Sequence, residues 1–189
     1  MSFSHLDLFS GIGGFALAAR EVWGKDYETV ALCDDDWFCQ QTLKKNFPGV
    51  KIYGDIRTLT YADHWGQEKR QIKTAGDKQC GCDLVTGGFP CHPFSQAGLR
   101  KGEADDRYLW PEMLRVIREF KPRWVIGENV AGIINMALGQ VLTDLENEGY
   151  EVKTFVIPAC AVNAPHRRDR VWIVGYSQHN GSVRTQETG

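Results

Sequence analysis

Short apolar runs and stretches of helical periodicity take turns along this chain as far as Tyr176, and that alternation confines it to an α/β architecture with a mostly parallel sheet. Strands are expected at 5–9, 28–33, 83–86, 123–127, 151–157 and 170–175. Between them Leu109, Met113, Val116, Ile117 and Phe120 recur at helical spacing, as do Leu138, Val141, Leu142 and Leu145, so these stripes supply core for helices on both faces of the sheet. The polar stretch from Trp65 to Gly81 carries Lys69, Arg70, Lys73 and Lys78 and reads as an exposed excursion. The organisation expected is one domain over 1–176 and a polar tail over 177–189.

A chain of 189 residues is long enough to bury one adequate core, and its 42% hydrophobic and 24% charged content is ordinary for a globular protein. No apolar run approaches the roughly 20 residues of a membrane span, and the start of the chain lacks a signal-peptide pattern, so a cytoplasmic location without membrane partners is expected. The six cysteines show no disulfide spacing, and the close pair Cys80 and Cys82 lacks further ligands at a workable distance, so no metal site is expected. A net charge of -2 gives no overall polyanion signature, which leaves nucleic-acid affinity to local patches.

Two loops concentrate the chemistry. Gly87-Gly88-Phe89-Pro90-Cys91-His92-Pro93-Phe94-Ser95-Gln96 follows an apolar strand and sets one thiol among prolines that fix φ and glycines that admit left-handed backbone, a frame suited to a reactive cysteine. Earlier, Asp7-Leu8-Phe9-Ser10-Gly11-Ile12-Gly13-Gly14-Phe15 leads from the first strand into a helix through a glycine turn able to approach a ligand closely. The next strand ends in Asp34-Asp35-Asp36, where a ribose diol would sit, and Asp55-Ile56 follows a third short apolar stretch. That succession suits an amino-acid moiety, a ribose and an adenine ring in turn.

Together with Asp106-Arg107-Tyr108-Leu109-Trp110, Glu128-Asn129-Val130 and His166-Arg167-Arg168-Asp169-Arg170, these blocks resemble the cytosine-5 DNA methyltransferases, in the same order and over nearly the whole chain. The resemblance implies a Rossmann-like S-adenosylmethionine-dependent fold. It also implies that Cys91 adds to C6 of cytosine, that Glu128 holds a proton at ring N3, and that Arg168 with Arg170 contacts the base O2 and the catalytic loop. On the donor side it implies packing by Phe9, backbone contacts from Gly11, Ile12, Gly13 and Gly14, ribose binding by Asp34, and adenine binding by Asp55 and Ile56. Asp35, Pro90 and Leu109 complete that implied set. Two positions depart from the family pattern, His92 after the nucleophile and His166 before the arginine pair, where glutamine is usual.

The chemistry asks for such a set on its own terms. Cytosine C5 is a poor nucleophile until a thiolate adds at C6, and the charge that develops through N3 and O2 needs an acid and a guanidinium. Glu128 and Arg168 are the groups expected there. A thiol pKa below the free value of about 8.5, helped by Arg168, and a Glu128 pKa raised by its apolar neighbours are the matching expectations. Double-stranded DNA would present a flipped base, with Ser95, Gln96, Arg100, Lys101 and Arg107 in a basic lid contacting it.

The resemblance also implies a target-recognition region and further motifs that the sequence does not show. Catalytic part of a split enzyme, truncated enzyme and relic are the explanations, with a separate recognition subunit the expected partner. The biological settings considered include restriction and modification. Two other functions stay open: a transfer RNA cytosine-5 methyltransferase of the same fold, and a catalytically silent binding module.

Overall fold

The computed structural model describes residues 2–66, 81–91 and 108–178. Strand β1 (Phe3–Leu8) enters the glycine turn and helix α1 (Gly14–Trp23), then β2 (Tyr27–Cys33), α2 (Trp37–Asn46), β3 (Lys51–Tyr53) and α3 (Tyr61–Trp65) follow. Next come β4 (Leu84–Gly87), α4 (Trp110–Phe120), β5 (Trp124–Val130), α5 (Ile133–Met136), α6 (Leu138–Asn147), β6 (Tyr150–Pro158) and β7 (Asp169–Ser177). They form one seven-stranded sheet in the order β3-β2-β1-β4-β5-β7-β6.

The pairs from β3 to β5 are parallel, and α1, α2 and α4 lie in the crossovers from β1 to β2, β2 to β3 and β4 to β5, as the alternation predicts. β7 runs antiparallel to both β5 and β6. The reason is local: the chain between β6 and β7 holds only the short 3-10 turn Ala159–Val162, too little for a crossover. β3 is the third short apolar stretch that the sequence reading placed before Asp55 without giving it a range, since three residues carry no readable alternation.

Adjacent residues of β2 serve different faces. Ala31 and Cys33 join the large core with Leu6, Leu8, Val85, Val125 and Ile173, against Met113, Ile117 and Phe120 of α4 and Val141 and Leu145 of α6. Leu32 joins a smaller cluster with Ala16 of α1 and with Leu43 and Phe47 at the end of α2. Helices thus lie on both faces, and the two stripes read from sequence are the ones buried. Toward β5 and β7, the face on the α1 side presents the half-buried Ile126, Trp172 and Val174, and Phe15 of α1 meets Trp172 edge-on with ring centroids 5.8 Å apart.

Beneath the glycine turn runs a buried polar chain across β2, β1 and β4. Thr86 Oγ1 donates to Asp7 Oδ1 at 2.6 Å, so toward His5 Nε2, 2.7 Å away, the same oxygen can only accept. The imidazole is therefore the Nε2–H tautomer, and its Nδ1 accepts from the Tyr27 hydroxyl, whose oxygen accepts in turn from Thr29 Oγ1. Burial holds His5 neutral, with its pKa lowered to about 3.

Candidate active site

The carboxyl ends of the parallel strands gather the residues that the sequence nominated. At the first, Gly11 and Gly13 have φ of +54° and +92°, in the region that glycine tolerates best. Gly13 is tight, since an added Cβ would lie 2.4 Å from Phe47 Cε2, whereas at Gly11 and Gly14 nothing would come within 4 Å. One flank of the turn is therefore packed and the other open. Phe9 at the same corner adopts a positive φ of 53° and packs half-buried against the core. Helix α1 begins there without a side-chain cap and without an acidic residue in its first turn, so its N-terminal amides favour an anionic group.

Asp34 stands beside this turn at the end of β2. Its Oδ2 accepts from Gly11 N at 2.7 Å and its Oδ1 from Asp36 N at 3.0 Å, which fixes the carboxylate while leaving lone pairs for a diol. Asp36 caps α2 by accepting from Cys39 N, and Asp35 is exposed. Asp55 caps the turn after β3 by accepting from Arg57 N, and the Ile56 side chain lies within the core. Ile12 is 58% exposed. An open glycine flank, an uncapped helix start and a fixed carboxylate are a donor set that fits a zwitterionic amino acid joined to a nucleoside, and so fits S-adenosylmethionine.

The second half of the site forms around β5, whose consecutive residues face opposite ways. Asn129 is buried and reaches Cys91: its Oδ1 accepts from Cys91 Sγ at 2.7 Å and from Val130 N at 2.9 Å, while its Nδ2 donates to Phe89 O at 2.8 Å. Cys91 also pairs with Tyr108 in an antiparallel bridge, and Leu109 N donates to Pro90 O, so the chain on either side of residues 92–107 is held together. Glu128 points to the other face, where its Oε1 meets Arg170 Nε at 2.7 Å with 26% and 21% of the two side chains exposed. A Cβ at Gly88 would lie 3.1 Å from Glu128 Oε2, so the glycine before the nucleophile segment leaves that carboxylate its place.

Three expectations change here. Burial, with the Glu128 charge added to it, raises the Cys91 thiol above its ordinary value, the reverse of the lowered thiol expected from sequence. The guanidinium on Glu128 belongs to Arg170; Arg168 is exposed, at a positive φ of 40°, on the turn before β7. Glu128 is half-buried and ion-paired instead of enclosed by its apolar neighbours. Asn129 was the missed residue, and its position beside Glu128 in a strand-end block was the signal available. Ser95, Gln96, Arg100, Lys101 and Arg107 lie outside the described residues, as do the lid contacts expected of them.

Among the described residues no helix is long and apolar enough to cross a membrane, and no group of three or more His, Cys, Asp or Glu could hold a metal ion.

Known proteins are similar to this chain. The chain is 33% identical to the Type II methyltransferase M.NlaX of Neisseria lactamica over 96% of its own length and 55% of that protein's. It is 34% identical to the Type II methyltransferase M.HpaII of Haemophilus parainfluenzae, over 95% and 47%. With the Type II methyltransferase M.AquIA of a Picosynechococcus strain the identity is 33%, over 90% of this chain and 70% of that one. The chain thus spans about half the length of M.NlaX and M.HpaII. The S. pombe Dnmt2 methyltransferase structure has the same fold, with a TM-score of 0.71 at 24% identity, covering 95% of this chain and 52% of that one. The C-5 cytosine-specific DNA methylase model matches residues 3–188, and with these relatives it shows that the chain belongs to the C-5 cytosine-specific DNA methylase family.

Proposed function

We propose that this chain carries the centre that methylates C5 of a flipped cytosine in double-stranded DNA, as a DNA (cytosine-5)-methyltransferase of the restriction-modification type. The observation that carries the reading is the placement of Cys91 and the Glu128–Arg170 pair around one strand end, joined by Asn129 and Gly88. S-adenosylmethionine supplies the transferable methyl on its sulfonium. Asp34 holds the ribose hydroxyls, and the first turn of α1 with Gly11 and Gly14 holds the amino-acid carboxylate. Phe9, Ile12, Gly13, Asp35, Asp55, Ile56, Pro90 and Leu109 complete the lining.

Cys91 loses its proton and forms the bond to ring C6, which makes C5 nucleophilic. Glu128 places a proton at N3 as charge develops there, and Arg170 both orients Glu128 and faces O2. Arg168, on the exposed turn, contacts the nucleophile segment or the backbone of the flipped nucleotide. Once C5 carries the methyl, its proton passes to water, the N3 proton returns to Glu128, and the C6–S bond breaks to release Cys91 and restore the ring. Sequence readout comes from a separate segment or subunit, a reading supported by the share of M.NlaX and M.HpaII that this chain spans. The catalytic unit expected over 1–176 runs to the end of β7, since Ser177 is buried in that strand, and it works in the cytoplasm.

The test is covalent trapping on 5-fluorocytosine duplex DNA with methyl donor, in the presence of any genetically linked recognition subunit. The protein should form a stable adduct, Cys91→Ser should form none while keeping donor affinity, and Asp34→Ala should bind donor more weakly. Equal trapping by Cys91→Ser would remove that sulfur from the reaction, and preferential capture of transfer RNA would replace the substrate.

A further inference from the structure

We propose that Asn129 is a positioning residue that stores Cys91 as a latched thiol in the DNA-free protein, so that the nucleophile is released only when the segment carrying it shifts away from β5. The inference rests on Cys91 being the nucleophile of the proposed methyl transfer and concerns how that same site is held in reserve.

Three hydrogen bonds fix the amide's orientation. Phe89 O offers only an acceptor and Val130 N only a donor, so the Asn129 side chain must aim Nδ2 at the first and Oδ1 at the second. The opposite flip would set two carbonyl oxygens against each other and leave the Val130 amide without its partner. Oδ1 is consequently the atom that faces Cys91 Sγ. A carbonyl oxygen accepts the S–H of a thiol and repels a thiolate, so this contact favours the protonated sulfur. An amide N–H in that place would pull the other way, but the bond to Phe89 O holds Nδ2 on the Phe89 side and leaves Oδ1 facing the sulfur.

Burial and the Glu128 charge act in the same direction, opposed in part by the hydrogen bond from the Cys91 backbone N–H. Cys91 is 5% and Asn129 4% exposed, which disfavours an anion on the sulfur. Glu128 is the charged group that acts on it from β5, with Arg170 of β7 drawn to that carboxylate instead of to the sulfur. From the segment before α4, Tyr108 reaches Cys91 through the backbone bridge. The latch spans two elements, since Phe89 and Cys91 belong to the segment after β4 while Asn129 belongs to β5. Movement of that segment relative to β5 breaks the Sγ and Phe89 bonds together and frees the proton to leave to water.

The experiment measures alkylation of Cys91 in the full chain, without DNA or methyl donor. Iodoacetamide is added over a pH series that brackets the free-thiol value of about 8.5, and the peptide containing Cys91 is quantified by mass spectrometry. Each alkylation forms one S–C bond and releases iodide, so the rate follows the thiolate fraction. Asn129→Ala should lower the midpoint and raise the rate at neutral pH about five- to tenfold, the size of one lost hydrogen bond. Asn129→Asp, which sets a carboxylate against the sulfur, should raise the midpoint above that of the unaltered protein.

Opposite shifts support the latch. A midpoint that stays in place, or moves the same way in both variants, overturns it, because mere loosening hydrates the sulfur and lowers the midpoint in both. Should Asn129→Ala fail to fold, Asn129→Ser takes its place, with a lowered midpoint expected and an unmoved one counting against the latch. Failure here leaves the DNA-trapping result standing, and failure to trap DNA leaves these midpoints readable.

Discussion

Asp7 is fully buried, and its Oδ2 has no hydrogen-bond partner among the described residues; burial raises its pKa from 3.8 to about 7, opposed in part by the bond from Thr86. An acid whose pKa is higher folded than unfolded holds its proton better in the native state, so its contribution to stability is complete below the unfolded value and is lost as pH rises through the folded one. Stability owed to Asp7 should therefore fall between pH 3.8 and about 7. Asp7→Asn should flatten that decline, read as melting temperature against pH; an unchanged slope would assign it to other groups. His5 acts in the opposite sense, because a base with a lowered folded pKa loses its contribution as pH falls from 6.5 toward about 3. Among the arginines, Arg170→Ala should reduce the methylation rate about a hundredfold or more, while Arg168→Ala should cost less, both measured under single-turnover conditions. Cys91 and Glu128 stood out as candidates in the sequence because their blocks are local. Which arginine pairs with Glu128 did not, since strand register decides it, nor did the Asn129 contact with Cys91, which spans 38 positions.

At the scale of elements, α4 and α6 were readable because apolar residues recur at helical spacing along their eleven and ten residues. What escaped was the extent of β3, too short for a pattern, and the direction of β7, which depends on the missing crossover helix and on no residue of the strand itself. The glycine turn joins element to site most tightly. In Gly13→Ala the new methyl would meet the Phe47 ring at the end of α2 and would sit at a φ of +92°, so the packed flank must give way. The variant should lose about 1–3 kcal/mol in denaturant unfolding and bind donor more weakly. Wild-type stability in that variant would mean that the ring moves aside at no cost.

For the molecule as a whole, the edge strand β6 leaves Phe155, Val156 and Ile157 exposed at 49%, 55% and 41%. Among the described residues the outer edge of β6 has no strand partner, and such an edge flanked by β-branched and aromatic side chains invites pairing with another strand. Val156→Lys should lower the sedimentation-average mass of concentrated protein, and no change would show that this edge takes no part in association. The fold class was legible because alternation of elements determines it. The open edge was not, because exposure in a strand depends on what lies beside it.

The antiparallel course of β7 carries one more consequence. Val130 pairs with Arg170 and Glu128 with Trp172, which puts the acid and its guanidinium on one side of the sheet. Shifting that ladder by a single step would turn Arg170 to the opposite side, so the reaction is written partly in a count of residues. Lengthening the turn between β6 and β7 should be tolerated, while one extra residue inserted after Arg170 should silence a protein that still folds.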